Sequence, residues 1–200
     1  MKKNVVFGVV SGVAMLAGLA YGIAAASEDP SLVVGTKTCA MCHKKADSGD
    51  QFGKWSAGPH AKAFAVLASD EAKAVAAKRG IADPQKSAAC LKCHTTAYLF
   101  TEELQIKGEG AKVVVEDGVT CESCHGGGKN YKSKAVMEDR EKCIANGMIY
   151  PATKSCRRCH NAESPSWDPE RYTTKDGKKD GFDEEQAYEK IKHPNPNVKK

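Results

Sequence analysis

The chain has 200 residues, a formal net charge of +5 and 41% hydrophobic residues, but only 6% aromatics. Much of the apolar content is alanine or lies near the N-terminus, which leaves little for an ordinary side-chain core. Basic and acidic residues are interspersed, 30 against 25; that describes a solvated surface and gives nucleic-acid binding no support.

Residues 1–26 read as a secretory signal peptide. Lys2 and Lys3 precede an uncharged run from Val5 to Ile23, and Ala24-Ala25-Ala26 offers a small-residue cleavage site. A retained anchor helix is the alternative, because the run is just long enough to span a bilayer. The alanines favour cleavage, which leaves residues 27–200 as one domain in the periplasm or at the outer surface. Membrane contact then comes only through the signal segment where it stays uncleaved. Cleavage takes Lys2 and Lys3 away, so the charge falls to +3.

Ser31 to Ala46 carries Cys39-Ala40-Met41-Cys42-His43. Pro59 then suits the start of a helix that Ala61 to Leu67 continues, holding His60 at its beginning with Phe64 one turn on. A second helix runs from about Asp70 to Arg79, after Ser69 and up to Gly80. Cys90 to His94 opens a segment leading into Tyr98-Leu99-Phe100. Lys112 to Glu116 is the clearest β-branched run, one arm of a small hairpin. Cys121-Glu122-Ser123-Cys124-His125 is followed by glycines and by Lys134 to Asn146, a helix ended by Gly147. Cys156-Arg157-Arg158-Cys159-His160 leads into a stretch rich in proline and charge. Asp183 caps a last helix, with Gln186 as capping-box partner, which ends at Ile191-Lys192-His193-Pro194 before a loose tail.

The pattern C-x-x-C-H thus occurs four times, where this composition would give roughly 0.01 copies by chance. It is the attachment site for a c-type haem: two thiols, set by one tight turn, add across the porphyrin vinyl groups, and the histidine becomes the proximal iron ligand. Zinc ribbons use paired cysteines but need no histidine after each pair. A thioredoxin-like pair would occur once, within a βαβ pattern that is not visible here, and disulfides leave the histidines unexplained. The reading is four c-type haems attached at Cys39, Cys42, Cys90, Cys93, Cys121, Cys124, Cys156 and Cys159, with His43, His94, His125 and His160 as proximal ligands. The porphyrins supply the missing apolar mass, and the fold expected is mainly α, short helices and loops wrapped around four haems with at most a small β-hairpin. Without haem the chain should be largely unfolded.

Only His60 and His193 remain as sixth ligands, so bis-histidine coordination falls short at two irons. Those irons stay five-coordinate, take another ligand such as Met137 or Met148, or borrow one from a neighbouring molecule, which leaves an oligomer open. Met41, within the first motif, is a weaker candidate. Cys143 is a ninth cysteine that reads as a packed thiol, and Tyr131 reads as a packing residue with a hydroxyl near the third site.

Trp55-Ser56-x-x-Pro59-His60-Ala61-x-Ala63-Phe64, Gly118-Val119-Thr120-Cys121-Glu122-Ser123-Cys124-His125-Gly126 with Tyr131, and Lys192-His193-Pro194 together resemble the tetrahaem cytochrome c-554 family across the mature chain. The resemblance implies a helical wrapping of haems in close pairs, mainly bis-histidine, with one iron five-coordinate. It also implies three distal histidines, of which this chain matches His60 and His193. The function expected is an electron carrier between redox protein partners, an oxidoreductase donor and an electron acceptor. The alternatives are an open iron that reduces a small nitrogen oxide and a subunit of an extracellular electron-conducting assembly.

Overall fold

The computed structural model describes residues 29–108 and 111–196, so the expected signal segment and the end of the tail lie outside the described residues. The chain is mainly helical, as expected, with two small antiparallel strand pairs instead of one.

Val33 and Val34 are buried, and Gly35 at φ +79 turns the chain into helix α1 (Thr36–His43), which carries the first motif. Only a residue without a Cβ adopts that φ readily. Helix α2 (Gln51–Ala57) starts under an Asp50 cap whose carboxylate accepts from Gly53 N at 3.0 Å. The helix expected from Pro59 through Leu67 is instead two 3-10 turns, His60–Lys62 and Ala65–Ala68. The cause is long-range. Val119 N donates to the His60 carbonyl (3.0 Å), and Gly118 packs so close that a Cβ would meet His60 O at 2.8 Å, which keeps that carbonyl out of an α-helical ladder. Helix α3 (Asp70–Lys78) follows its Ser69 cap as predicted, and Gly80 ends it at φ +68.

Helices α4 (Ala88–His94) and α5 (Thr96–Thr101) share a sharp corner at Thr95, whose hydroxyl accepts from Tyr98 N. Strands β1 (Gln105–Gly108) and β2 (Ala111–Val114) pair antiparallel, with Ile106 opposite Val113. Those two bury against Ala97, Phe100, Val33 and Val115, and a second cluster gathers Leu67, Cys90 and Leu91; Phe64 packs against both. The β-branched run gives its strand, but Val115–Asp117 curls into a 3-10 turn, where Asp117 accepts from Val114 N.

Helix α6 (Cys121–His125) carries the third motif. The single helix expected over Lys134 to Asn146 is broken into α7 (Lys134–Met137) and α8 (Arg140–Ala145). Asp139 has extended dihedrals and its carboxylate accepts from Lys142 N at 3.1 Å, so it caps a new helix and cannot continue the old one. Cys143 is buried and its thiol donates to Val136 O, joining the two pieces; it packs, as expected. The fourth motif lies on a 3-10 stretch, Ala152–Arg158, and its end. Strands β3 (Tyr172–Thr173) and β4 (Lys179–Asp180) form the ribbon that the sequence did not suggest. Helix α9 (Glu184–Ile191) is capped by Asp183, but Gln186 returns its amide to the Asp183 carboxylate and to Thr173 O, so the box also ties α9 to β3.

The first and third motifs are joined by a buried carboxylate. Glu122, 1% exposed, accepts from Val34 N, Gly35 N and Gly128 N, each at 2.8 Å. Burial pushes its pKa up, and the three N–H groups pull it back. Glu122→Ala strands three buried donors and should cost about 3 kcal/mol or more, read as a lowered midpoint in denaturant unfolding of the haem-loaded protein.

Candidate functional site

Each C-x-x-C-H motif occupies about one helical turn at the end of α1, α4 or α6, or the 3-10 stretch before Cys159. No disulfide joins any two of the nine cysteines. The motifs meet in pairs: Cys39 hydrogen-bonds Cys121, and Cys93 hydrogen-bonds Cys159. Ser155 Oγ donates to Cys124 O at 2.8 Å, which joins the third motif to the fourth. Burial pushes the Cys124 thiol up to about 11. Among the described residues no three His, Cys, Asp or Glu side chains converge as a metal-ion cage.

The histidines supply the geometry. The rings of His60 and His160 lie 6.2 Å apart at 66°, and those of His125 and His193 lie 6.2 Å apart at 74°. Two imidazoles bound to opposite sides of one metal, with bonds of about 2 Å, put their ring centres roughly 6 Å apart. Both pairs therefore leave the span that one coordinated iron takes, and the residues fit axially ligated haem.

The hydrogen bonds point the same way. His94 Nδ1 lies 2.6 Å from Ala63 O and His193 Nδ1 lies 2.9 Å from Ile191 O. A carbonyl only accepts, so in both rings Nδ1 carries the proton and Nε2 keeps the lone pair that a metal takes. His160 is oriented by packing instead: Phe182 stacks on its ring at 4.5 Å and 12°, and the Arg157 guanidinium lies over the Phe182 ring at 5.2 Å while its Nη2 donates to Phe182 O. His125 Nδ1 is buried without a hydrogen-bond partner of ordinary geometry.

Burial and neighbouring rings lower three of the six imidazoles. Burial and then His193 hold His125 down, to about 4, with His43 adding to the effect and the Ile149 backbone opposing it. Burial and His193 lower His60; burial lowers His160, with His60, Arg171, His94 and Arg157 adding to it. Buried neutral imidazole is the ligating form.

The approach to the third motif holds the His60 backbone: Val119 N bonds its carbonyl and Gly118 backs onto it, while Trp55 Nε1 donates to Val119 O at 2.9 Å. Tyr131 is buried and its hydroxyl donates to Gly126 O and His125 O, so it packs the third motif. Met41 is 66% exposed, and Met137 Sδ lies 4.0 Å from the Cys143 sulfur. A small cavity of about 80 Å³ beside the second motif is lined by Cys93, Lys92, Leu99 and Arg158. Glu122 stood inside a motif whose thiols and imidazole drew the attention, whereas Phe182 and Gln51 carried no local signal.

Comparison with known proteins bears on the same residues. A family model described as cytochrome c554 and c-prime matches residues 38–126. Cytochrome c-554 of Nitrosomonas europaea is 30% identical over 183 residues, covering 84% of this chain and 72% of that protein. No solved structure matches. The matched segment runs from the first motif through the His60 turn to the third motif and Gly126, the stretch that binds those parts together, and with the near full-length likeness it makes this chain a member of the cytochrome c-554 family.

Proposed function

We propose that this c-type cytochrome is an exported tetrahaem electron carrier that takes single electrons from an oxidoreductase donor and passes them to an acceptor protein. The observation that carries the reading is the two imidazole pairs, His60 with His160 and His125 with His193, each with the spacing of shared iron ligands. Cys39 and Cys42, Cys90 and Cys93, Cys121 and Cys124, and Cys156 and Cys159 would each hold one haem by thioether bonds. His125 and His193 would bind the third, His60 and His160 the fourth; His43 and His94 would each bind theirs alone. Haem bound there supplies a one-electron couple whose potential follows its axial ligands and burial. The chain's own contribution is position. Glu122 fixes the first site against the third, Ser155 the third against the fourth, and Phe182 aligns His160. The sites follow each other in the order first, third, fourth, second, a relay with an end at each unpaired histidine. Export agrees with the expected leader, since thioether attachment takes place outside the cytoplasm in bacteria.

The mature protein should carry the mass of four haems, start at about Ser27, and exchange electrons rapidly with a partner oxidoreductase in reductive titration. A mass with fewer haems, or exchange no faster than with a small-molecule dye, overturns this reading. A second reading rests on His94, which faces no second imidazole beside the cavity at Cys93: a small molecule enters there and is reduced. Binding of carbon monoxide establishes access, and only steady turnover establishes an enzyme.

A further inference from the structure

Gln51 opens α2 with one amide whose two ends reach different ligand segments. Its Oε1 lies 3.3 Å from His43 Nδ1; its Nε2 faces Ser48 O and, at 3.3 Å, Pro194 O. Carbonyls only accept, so the nitrogen end belongs with them and the oxygen end with His43. His43 Nδ1 is therefore a donor, and its Nε2 keeps the free lone pair. The grip on the C-terminal segment does not rest on one bond. Gly49, at φ +101, backs onto the same segment so closely that a Cβ would lie 2.5 Å from Pro194 O and 3.0 Å from Pro196 Cδ. Pro194 directly follows His193, whose ring pairs with that of His125.

We propose that Gln51 is a positioning residue shared by two sites, orienting and polarising His43 in the first and holding the His193 segment in place for the third. This rests on the reading of His43 and His193 as haem ligands. A hydrogen bond from Nδ1 fixes the ring of a metal-bound histidine and makes it a more basic ligand, which favours the oxidised metal. Because one planar amide serves both ends, tightening its hold on His43 shifts the group that anchors Pro194. The sequence placed His43 and His193 far apart in the chain; the amide makes them neighbours.

The test uses the haem-loaded protein and two variants, with the potential of each haem followed by paramagnetic resonance during redox titration. Q51E keeps the acceptor for His43, strengthens it with a charge and gives up the donor to Pro194. Q51L gives up both. Q51E should shift the first-site couple towards the oxidised form by about tenfold, ~59 mV for one electron, and Q51L should shift it the opposite way. Both should release part of the third site to high spin, because both lose the Pro194 anchor. A merely structural Gln51 would move the first-site potential in the same direction in both variants, and that result, or an unchanged third site, overturns the proposal. Failure of the underlying reading looks different: the wild type itself would lack the haem mass at Cys39 and Cys42. Should Q51L load its haems incompletely, Q51E against the wild type decides through the sign of the first shift.

Discussion

Replacing His60 with alanine is expected to turn one low-spin iron, the fourth, to high spin, and replacing His193 is expected to do the same to the third. The wild type should show two low-spin and two high-spin irons, so each variant moves a quarter of the total and the double variant leaves no low-spin signal. The pairing follows from distance: His60 faces His160 and His193 faces His125, each with ring centres 6.2 Å apart. The rings of each pair lie at 66° and 74°, far from parallel, so the low-spin signals should be strongly anisotropic. The variants should keep their fold, because His160 retains its Phe182 stack and the His60 turn retains its backbone bonds to Val119. Integrated low-temperature paramagnetic resonance, with one motif at a time identified by its potential, checks the assignment. Three low-spin irons in the wild type, or a loss at the first or second site in either variant, would falsify the pairing.

The candidate attachment sites were legible in the sequence because a thioether-bound haem needs its two thiols and its proximal imidazole contiguous in the chain. Helix α3 and the caps Ser69 and Asp183 were legible for the same reason: a cap is a local hydrogen bond. Counting histidines nominated His60 and His193 as distal candidates. It could not match them to irons, since each pairing closes a loop that only the fold defines. The helix expected over Ala61 to Leu67 failed at a tertiary contact, the Val119 N–H on the His60 carbonyl. The helix over Lys134 to Asn146 failed differently, because Asp139 served as a cap where the pattern took it for an interior residue. Glu122, Gln51 and Phe182 act on partners far along the chain, and no spacing rule points to any of them.

Two consequences of this layout reinforce each other. The joints between motifs are made by polar groups of the chain, such as the Glu122 carboxylate and the Ser155 hydroxyl, not by interlocked apolar side chains. Relative positions of neighbouring sites are therefore fixed by directional bonds, which suits a relay in which distance governs transfer. The same arrangement leaves stability to whatever fills the space between the helices.

A chain prepared without haem, with all eight motif cysteines replaced by serine, is accordingly expected to lose most of its structure, and to lose it unevenly. The apolar clusters among the described residues all lie between Val33 and Val115: Val33, Ala97, Phe100, Ile106, Val113 and Val115 in one, Leu67, Cys90 and Leu91 in the other. Beyond Gly118 the buried hydrophobic residues are Val119, Tyr131, Cys143 and Phe182, spread over separate elements. Short helices such as α6, α7 and α8 are far below the length at which a helix persists in water without a packed face. Among the described residues the C-terminal half thus has no buried apolar cluster to offset the roughly 1–2 kcal/mol of backbone entropy that each ordered residue costs. Hydrogen exchange should show weak protection surviving in α5, β1 and β2, and none in α6 to α9; far-UV dichroism should fall to a fraction of the haem-loaded signal. Cooperative unfolding of the serine variant with protection in α8 and α9 would mean that side chains, not porphyrins, hold this half together, and the assignment of haem as its interior would fail with it.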